Sequence, residues 1–179
     1  MNMKTMGRAA AVLVVGLAGA ATAATANGPV CNTAATVSST TYYSCSGSSH
    51  TALDIGGVAC GEPFYAPLVG SYFYKLYGGC AATCTGDTCN GGAGNYYVVT
   101  GTNGWDFRML HLITDAYSAS KTCNGCRLGQ VGGTGSATSA HVHLDNRQYG
   151  TRKTSWYTGA GTTCGSSAYC GNVIGYPTL

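Results

Sequence analysis

Past residue 26, apolar and β-branched residues occur in short runs that glycine-rich stretches separate. No stretch there shows the 3.6-residue period of an amphipathic helix, whereas short runs bounded by turn residues are typical of β-strands. The segment 101–104, Gly-Thr-Asn-Gly, lies between two runs and predicts a hairpin turn. The pattern predicts an all-β, mainly antiparallel fold in one compact domain with disulfide-linked loops. The predicted strands are 40–43, 53–55, 64–66, 71–76, 95–100, 107–112, 141–144 and 155–157.

The first segment has the pattern of a secretory signal peptide. Lys4 and Arg8 form a positive start, and an apolar run covers 9–21. This run is shorter than the ~20 residues that cross a bilayer. We therefore expect export rather than membrane anchoring.

Small residues in the small-x-small pattern predict cleavage after Ala23 or after Ala26. The processed protein is expected to be secreted, extracellular or periplasmic, and to have no contact with a membrane. The predicted organisation is a signal peptide, 1–26, followed by one domain, 27–179.

Composition and charge exclude several classes of protein. Charged residues make up only 8% of the chain, and Glu62 is its one glutamate. The sparse charge and the scarcity of glutamate argue against a disordered chain and against a long helical bundle. Removal of the signal peptide leaves seven basic and six acidic side chains, and the basic ones are scattered. A nucleic-acid partner is not expected, because it requires a basic stripe.

All ten cysteines follow the predicted signal peptide, and an even number in an exported chain indicates disulfides. Cys123 and Cys126 form a C-x-x-C pair, which also occurs in redox dithiols and zinc sites. Export and the lack of a βαβ pattern favour a plain bridge. Local loops at 80–89 and 164–170 are expected, although spacing does not determine the connectivity.

The chain has four histidines, and all of them have neighbours that suggest a metal site. His141 and His143 are two apart in a strand-like run, which places both imidazoles on one face with Cα atoms about 7 Å apart. His50 and Asp54 would lie about 13 Å apart along a straight strand, too far to share one ion. The segment must bend, so we expect His50 on a loop and Asp54 in a strand. His111 closes another predicted strand.

Three blocks of sequence, in order, resemble the M23 family of zinc metallopeptidases, the lysostaphin-like and β-lytic enzymes that cleave peptide bonds in bacterial peptidoglycan. The first block contains H-T-A-L-D-I and G-E-P-F-Y-A-P, the second G-N-Y-Y-V-V and M-L-H-L, and the third ends in H-V-H-L. Three blocks in the family's order are more specific than any one histidine pair. The blocks cover 50–67, 94–112 and 131–144.

The resemblance implies that His50, Asp54 and His143 bind one Zn²⁺ per chain, and that His111 and His141 are catalytic. Two neutral imidazoles and one carboxylate leave a coordination position open, as catalytic zinc requires. A histidine beside the metal can take a proton from water, and another can stabilise an oxyanion. The sequence does not divide these two roles between His111 and His141.

Two departures from the family pattern lie next to the site. Met109 replaces the usual aromatic residue, and Ser139-Ala140 replaces Gly-Pro before the histidine pair. Neither change removes a metal-binding or proton-transfer group. Asp145 has even spacing from His143 and so either orients an imidazole or lies at a strand end facing solvent.

The expected function is that of a secreted zinc metalloendopeptidase, and the residues allow two other interpretations. The expected partners of the peptidase are the peptide stems or cross-bridges of bacterial peptidoglycan, and the protein is expected to act as a monomer. One alternative is a catalytically silent module of the same family that binds the cell wall or activates a partner. The other is a disulfide-framed structural domain with histidines that bind no metal.

Overall fold

The computed structural model describes residues 19–39, 45, 50–115, 117–153 and 163–179. Within these ranges the regular secondary structure consists of β-strands and one short 3-10 segment at Cys89–Gly92. No helix in the described residues has the length and apolar character needed to cross a membrane.

Twelve strands make up the described fold. Most are short, and the longest, β7, has nine residues. The strands are β1 (Ala26–Asn27), β2 (Thr36–Ser39), β3 (Leu53–Gly56), β4 (Pro63–Tyr65), β5 (Tyr72–Tyr77), β6 (Asn95–Thr100), β7 (Trp105–Ile113), β8 (Lys121–Cys123), β9 (Arg127–Val131), β10 (Val142–Gln148), β11 (Thr151–Lys153) and β12 (Val173–Gly175).

Ten of these strands form one antiparallel sheet in the order β2-β3-β10-β7-β6-β5-β8. Strand β11 pairs with β10, and β9 pairs with both β4 and β7. The remaining strands, β1 and β12, pair with each other. Strand β10 is central, because β7 lies along one side of it while β3 and β11 share the other. Residues from three neighbouring strands are therefore placed beside β10.

Alternation along β10 separates the apolar core from a polar face. Val142 and Leu144 are fully buried in the core, together with Leu53 and Ile55 of β3 and Met109 of β7. His143, between them in sequence, projects from the opposite face and lines a cleft. The apolar residues hold the sheet in register, and the register in turn places the polar residues.

The predicted fold class is confirmed, and six predicted strands are observed within one or two residues at most ends. The hairpin at 101–104 is confirmed, because it joins the antiparallel strands β6 and β7. Strand β10 runs four residues beyond the predicted 141–144 and begins after His141. Six strands were not predicted, since they are short and lack clear runs of β-formers. The predicted strands 40–43 and 155–157 lie outside the described residues.

Five disulfides join the ten cysteines. The local bridge Cys80–Cys89 and the plain bridge Cys123–Cys126 agree with the predictions. The expected loop between 164 and 170 is wrong. These two cysteines instead bind distant partners, in the bridges Cys31–Cys170 and Cys45–Cys164. Folding brings the tail beside the first strands, and local spacing carries no information about that contact.

Residues 22–27 pack onto the C-terminal segment. The amide of Thr22 donates to the carbonyl of Leu179 at 2.9 Å, and the amide of Ala24 donates to Pro177 at 2.8 Å. Ala24 and Ala26 are buried in the hydrophobic core. The end of the predicted signal peptide therefore forms part of this structure.

Candidate metal centre and cleft

The register between β3 and β10 creates the core of the site. Asp54 and His143 are direct cross-strand partners. Residues directly opposite in an antiparallel pair have neighbouring side chains. The Asp54 Oδ1 and His143 Nδ1 atoms lie 2.9 Å apart. The sheet itself therefore brings two of the predicted zinc ligands together.

His50 reaches the same point from the loop before β3. Its Nε2 lies 3.1 Å from Asp54 Oδ2. Its Nδ1 lies 2.7 Å from the carbonyl oxygen of Ala52, a contact that requires the hydrogen on Nδ1. Nε2 is then left with its lone pair directed at the carboxylate. The bend predicted between His50 and Asp54 is present.

The donor atoms of His50, Asp54 and His143 fit a divalent cation. One ligand atom from each lies within 4.8 Å of the other two. Asp54 Oδ1 is buried and makes no hydrogen bond of acceptable geometry, although His143 Nδ1 lies 2.9 Å from it and His141 Nε2 lies 3.8 Å from it. A buried carboxylate oxygen in this state is costly unless a proton or a cation compensates it. Two imidazole nitrogens and one carboxylate are a donor set that suits zinc.

The electrostatics of the metal-free site show why it attracts positive charge. Burial alone would raise the pKa of Asp54, but His143 and His50 lower it well below its usual range. Burial alone would lower the pKa of His143, yet the carboxylates of Asp145 and Asp54 outweigh this effect and raise it. Two carboxylates beside one imidazole therefore favour positive charge at this point, and a cation that binds here competes with a proton for the ring nitrogen.

A β-bulge turns His111 toward the same cleft. Leu110 and His111 together oppose the single residue Tyr96, and His111 has a left-handed φ of 66°. Without the bulge, side chains would alternate along β7, and His111 would point into the core on the same side as the buried Met109. With it, Leu110 and His111 both line the cleft. The backbone strain at this non-glycine residue coincides with a predicted catalytic histidine.

Burial holds His111 in its neutral form. It lowers the pKa of His111 from 6.5 to about 4, and the neighbouring His143 and His141 act in the same direction. Nδ1 of His111 lies 2.8 Å from the carbonyl oxygen of Thr134 and donates to it. Nε2 is therefore the nitrogen available to the cleft.

His141 precedes β10 and makes an isolated bridge to Gly132. Its Nδ1 lies 2.9 Å from the carbonyl oxygen of Ser139, and its Nε2 lies 3.8 Å from Asp54 Oδ1. The rings of His111 and His141 have centroids 5.0 Å apart. Together with His143, these two form a second group whose ligand atoms also lie within 4.8 Å of one another. The group that contains Asp54 has the carboxylate that favours a dication.

All five predicted site residues line one open cleft of about 520 Å³. Its remaining wall is formed partly by the 3-10 segment, which the Cys80–Cys89 bridge ties to the end of β5. Tyr96 also lines the cleft, and its ring stacks on Tyr77 with centroids 4.9 Å apart.

Sequence reasoning missed the arginines of this cleft. Arg108, Arg147 and Arg152 all line it. Two of them follow an aspartate at a spacing of two, in Asp106-x-Arg108 and Asp145-x-Arg147. This spacing on a strand places both charges of a pair on one face, and it is the signal that could have revealed them.

Asp145 is fully buried beneath these arginines. Its Oδ2 lies 3.8 Å from His143 Nε2, which is longer than a hydrogen bond. Burial alone would raise the pKa of Asp145, but His143 and Arg147 lower it well below its usual range. Of the two interpretations of this residue, the solvent-facing one is wrong. Asp145 faces the ring of a candidate metal ligand.

Solved structures similar to this chain include M23 peptidase domains. A mutant form of the catalytic domain of the prophage-encoded M23 protein EnpA from Enterococcus faecalis matches with a TM-score of 0.52 and 17% identity, over 70% of this chain and 92% of that one. This likeness confirms the predicted resemblance at the level of the fold. No family model and no curated protein sequence matches the chain.

Two further structures have lower scores. A zinc-containing peptidase from Vibrio cholerae matches with a TM-score of 0.48 and 19% identity over 72% of this chain, which spans 38% of the length of that protein. The catalytic domain of the antimicrobial peptidase lysostaphin from Staphylococcus simulans has a TM-score of 0.41 and 21% identity, over 60% of this chain and 77% of that one.

Proposed function

We propose that the protein is a zinc-dependent endopeptidase. The observation that carries this proposal is the convergence of His50, Asp54 and His143, whose ligand atoms lie within 4.8 Å of one another around a buried carboxylate. His111 and His141 line the same cleft. A purely structural β-domain has no need to collect four histidines and a buried carboxylate at one point.

In this proposal His50 Nε2, the Asp54 carboxylate and His143 Nδ1 hold one Zn²⁺. When bound, zinc acts as a Lewis acid toward a peptide carbonyl and lowers the pKa of water. The Ala52 carbonyl fixes the tautomer of His50, as ligand orientation requires. Asp145 faces the Nε2 side of His143 and favours a hydrogen there, which leaves Nδ1 free as a donor to the metal.

His111 and His141 are proposed as the proton-handling pair. Each uses Nδ1 on a backbone carbonyl and so directs Nε2 to the cleft. A neutral Nε2 accepts a proton from the attacking water, and the resulting imidazolium donates it to the leaving amine. The other ring could support the negative charge that develops on the carbonyl oxygen only as an imidazolium, because it then carries a hydrogen on Nε2 as well as on Nδ1.

The proposed substrate is the peptide part of bacterial peptidoglycan, namely its stems or cross-bridges. The support is the fold shared with an M23 catalytic domain, an open cleft of about 520 Å³, and five disulfides, which suit an exported protein. Signal-peptide cleavage and secretion belong to the same proposal.

The metal part is tested by measuring the zinc content of the purified protein and of two aspartate variants. Asp54→Asn removes a proposed ligand and is expected to weaken zinc binding at least ~100-fold, beyond the range seen for outer-shell changes. Asp115→Asn is the matched control, because Asp115 pairs with Arg127 elsewhere. Equal zinc contents of about one per chain in both variants would contradict the proposed ligand set.

The catalytic part is tested with His141→Ala on purified cell walls, with released fragments identified by mass spectrometry. The variant is expected to keep its zinc and to lose most of its lytic activity. Undiminished lysis by His141→Ala, or by metal-free wild-type protein, would exclude the proposed reaction. Tight wall binding without release of any fragment by the zinc-loaded wild type would favour the catalytically silent alternative.

A further inference from the structure

Two arginines beside the metal centre share a single carboxylate. Arg147 of β10 and Arg152 of β11 are direct cross-strand partners, a placement that is unfavourable for like charges. Both donate to Asp145. Arg147 Nη2 lies 2.7 Å from Asp145 Oδ2, and Arg152 Nε lies 3.0 Å from the same oxygen. Asp145 neutralises one of these guanidinium groups and leaves the other uncompensated.

The neighbouring arginine does not change this balance. Arg108 makes a two-point contact with Asp106, through Nε at 3.0 Å and Nη2 at 2.8 Å. Three guanidinium groups thus face two carboxylates on this wall of the cleft, and one positive charge is left over. Asp54 belongs to the metal centre on the adjoining wall.

No other acidic side chain of the protein is available to cancel this charge. The chain has six acidic residues, and all of them lie in the described ranges. Glu62 accepts a hydrogen bond from Asn32, and Asp115 pairs with Arg127. Asp87 accepts from the backbone amides of Cys89 and Gly135. The segments outside the described ranges contribute no carboxylate side chain, because their sequences contain neither aspartate nor glutamate.

The surplus charge is accessible from the cleft. The side chain of Arg152 is 40% exposed, whereas Asp145 is fully buried. Arg152 also donates from Nη1 to Thr51 Oγ1 at 3.1 Å, which holds it next to the loop that carries His50. The planar guanidinium group matches a carboxylate in geometry as well as in charge.

We propose that Arg152, supported by Arg147, binds a free carboxylate of the substrate peptide next to the cleaved bond. This inference rests on the proposed peptidase function and adds a substrate preference to it: peptides with a free carboxylate at this position are preferred over the same peptides with a carboxamide or no side-chain acid. Peptidoglycan stems that carry free carboxylates are then better substrates than amidated stems or neutral bridges.

The experiment uses synthetic stem peptides in which each carboxylate is replaced in turn by a carboxamide. Both cleavage, as kcat/KM, and binding, by calorimetry, are measured with the zinc-loaded protein. At one position, kcat/KM and affinity are expected to be about tenfold higher for the carboxylate peptide than for the carboxamide peptide. An effect of this size is typical of a partly exposed hydrogen bond between charged groups. The preference should shrink as the salt concentration rises from about 50 to about 500 mM.

Two charge-removing variants separate this site from a general charge effect. Arg152→Gln is expected to bring the ratio between the carboxylate and carboxamide peptides close to one. Lys153→Gln is the matched control, since it removes a charge from the adjacent position of β11 and Lys153 does not line the cleft. It should retain the wild-type ratio.

The outcomes separate this inference from the proposed function. Equal cleavage and equal binding of every peptide pair by the wild type would overturn the carboxylate subsite and leave the peptidase function intact. A preference that survives Arg152→Gln or is insensitive to salt would also overturn it. Failure to cleave any peptide would contradict the peptidase function, while the binding ratio would still decide whether the subsite exists.

Discussion

The buried His111 makes a quantitative prediction about acid stability. In the folded, metal-free protein the pKa of His111 is about 4, against 6.5 for the ordinary side chain, mainly because of burial. Between these two pH values the unfolded chain binds a proton that the folded protein does not. The free energy of unfolding therefore falls as the pH is lowered through this window, and this contribution levels off below about pH 4.

The size of the effect follows from the two pKa values. Each pH unit between them corresponds to about 1.4 kcal/mol, so acidification from pH 7 to pH 4 costs roughly 3 kcal/mol through His111 alone. This is a large share of the ~5–15 kcal/mol by which a typical domain is stable. Other groups also titrate in this range, so the contribution of His111 must be isolated by comparison with a variant.

His111→Asn is the suitable variant. Asparagine tolerates the left-handed backbone at this position better than most residues, and its amide can still donate toward the Thr134 carbonyl. It does not titrate. The wild type is expected to lose roughly 3 kcal/mol more than this variant between pH 7 and pH 4, because only the wild type carries the suppressed histidine.

The assay is urea unfolding of metal-free protein with its disulfides intact, at pH 7 and pH 4. For each protein, the quantity compared is the change in the free energy of unfolding between pH 7 and pH 4. Any cost of the substitution that is the same at both pH values cancels in this difference. Measurements between pH 7 and pH 8 serve as a control, because little of the titration of His111 remains there in either state and the two curves should run nearly parallel. Equal losses on acidification would refute the burial argument for His111.

Two further predictions concern the disulfides and the N-terminus. Replacing Cys80 and Cys89 together by serine opens a short loop and is expected to cost about 2.5–3 kcal/mol of stability. Because this bridge holds the 3-10 wall of the cleft, the replacement should lower activity more than the equivalent change at Cys123–Cys126. Equal activities of the two variants would argue against that role of the bridge. Of the two predicted cleavage positions, the one after Ala23 retains the buried methyl groups of Ala24 and Ala26. The mature protein is therefore expected to begin at Ala24. An intact mass that corresponds to a chain beginning at residue 27 would contradict this.

Much of the local structure could be predicted from the sequence because it depends on neighbours in the chain. The run 95–100 reads as a strand from its β-branched and aromatic residues, and the structure gives the same bounds. The 101–104 turn follows from its glycines and asparagine. Short strands such as β8 and β9 were missed, since their residues form strands only because a partner strand supplies the hydrogen bonds.

The candidate site shows the same division. Residue chemistry together with the resemblance to the M23 family pointed to His50, Asp54, His111, His141 and His143, and the structure brings all five to one cleft. What the sequence could not indicate was how they would meet. Alternation along β7 would have sent His111 toward the core, and only the bulge opposite Tyr96 reverses it.

The amino-acid sequence by itself determined the four histidines and few carboxylates of this protein, its strand-forming runs and its low charge. The tertiary structure alone decided that Asp54 lies opposite His143, that Cys31 meets Cys170, and that Arg147 and Arg152 compete for one buried carboxylate. The physical reason is the distance along the chain over which each kind of interaction acts. Strand propensity and turn chemistry act over a few residues, whereas sheet register, disulfide partners and the charge balance of a cleft depend on contacts between segments far apart in the chain.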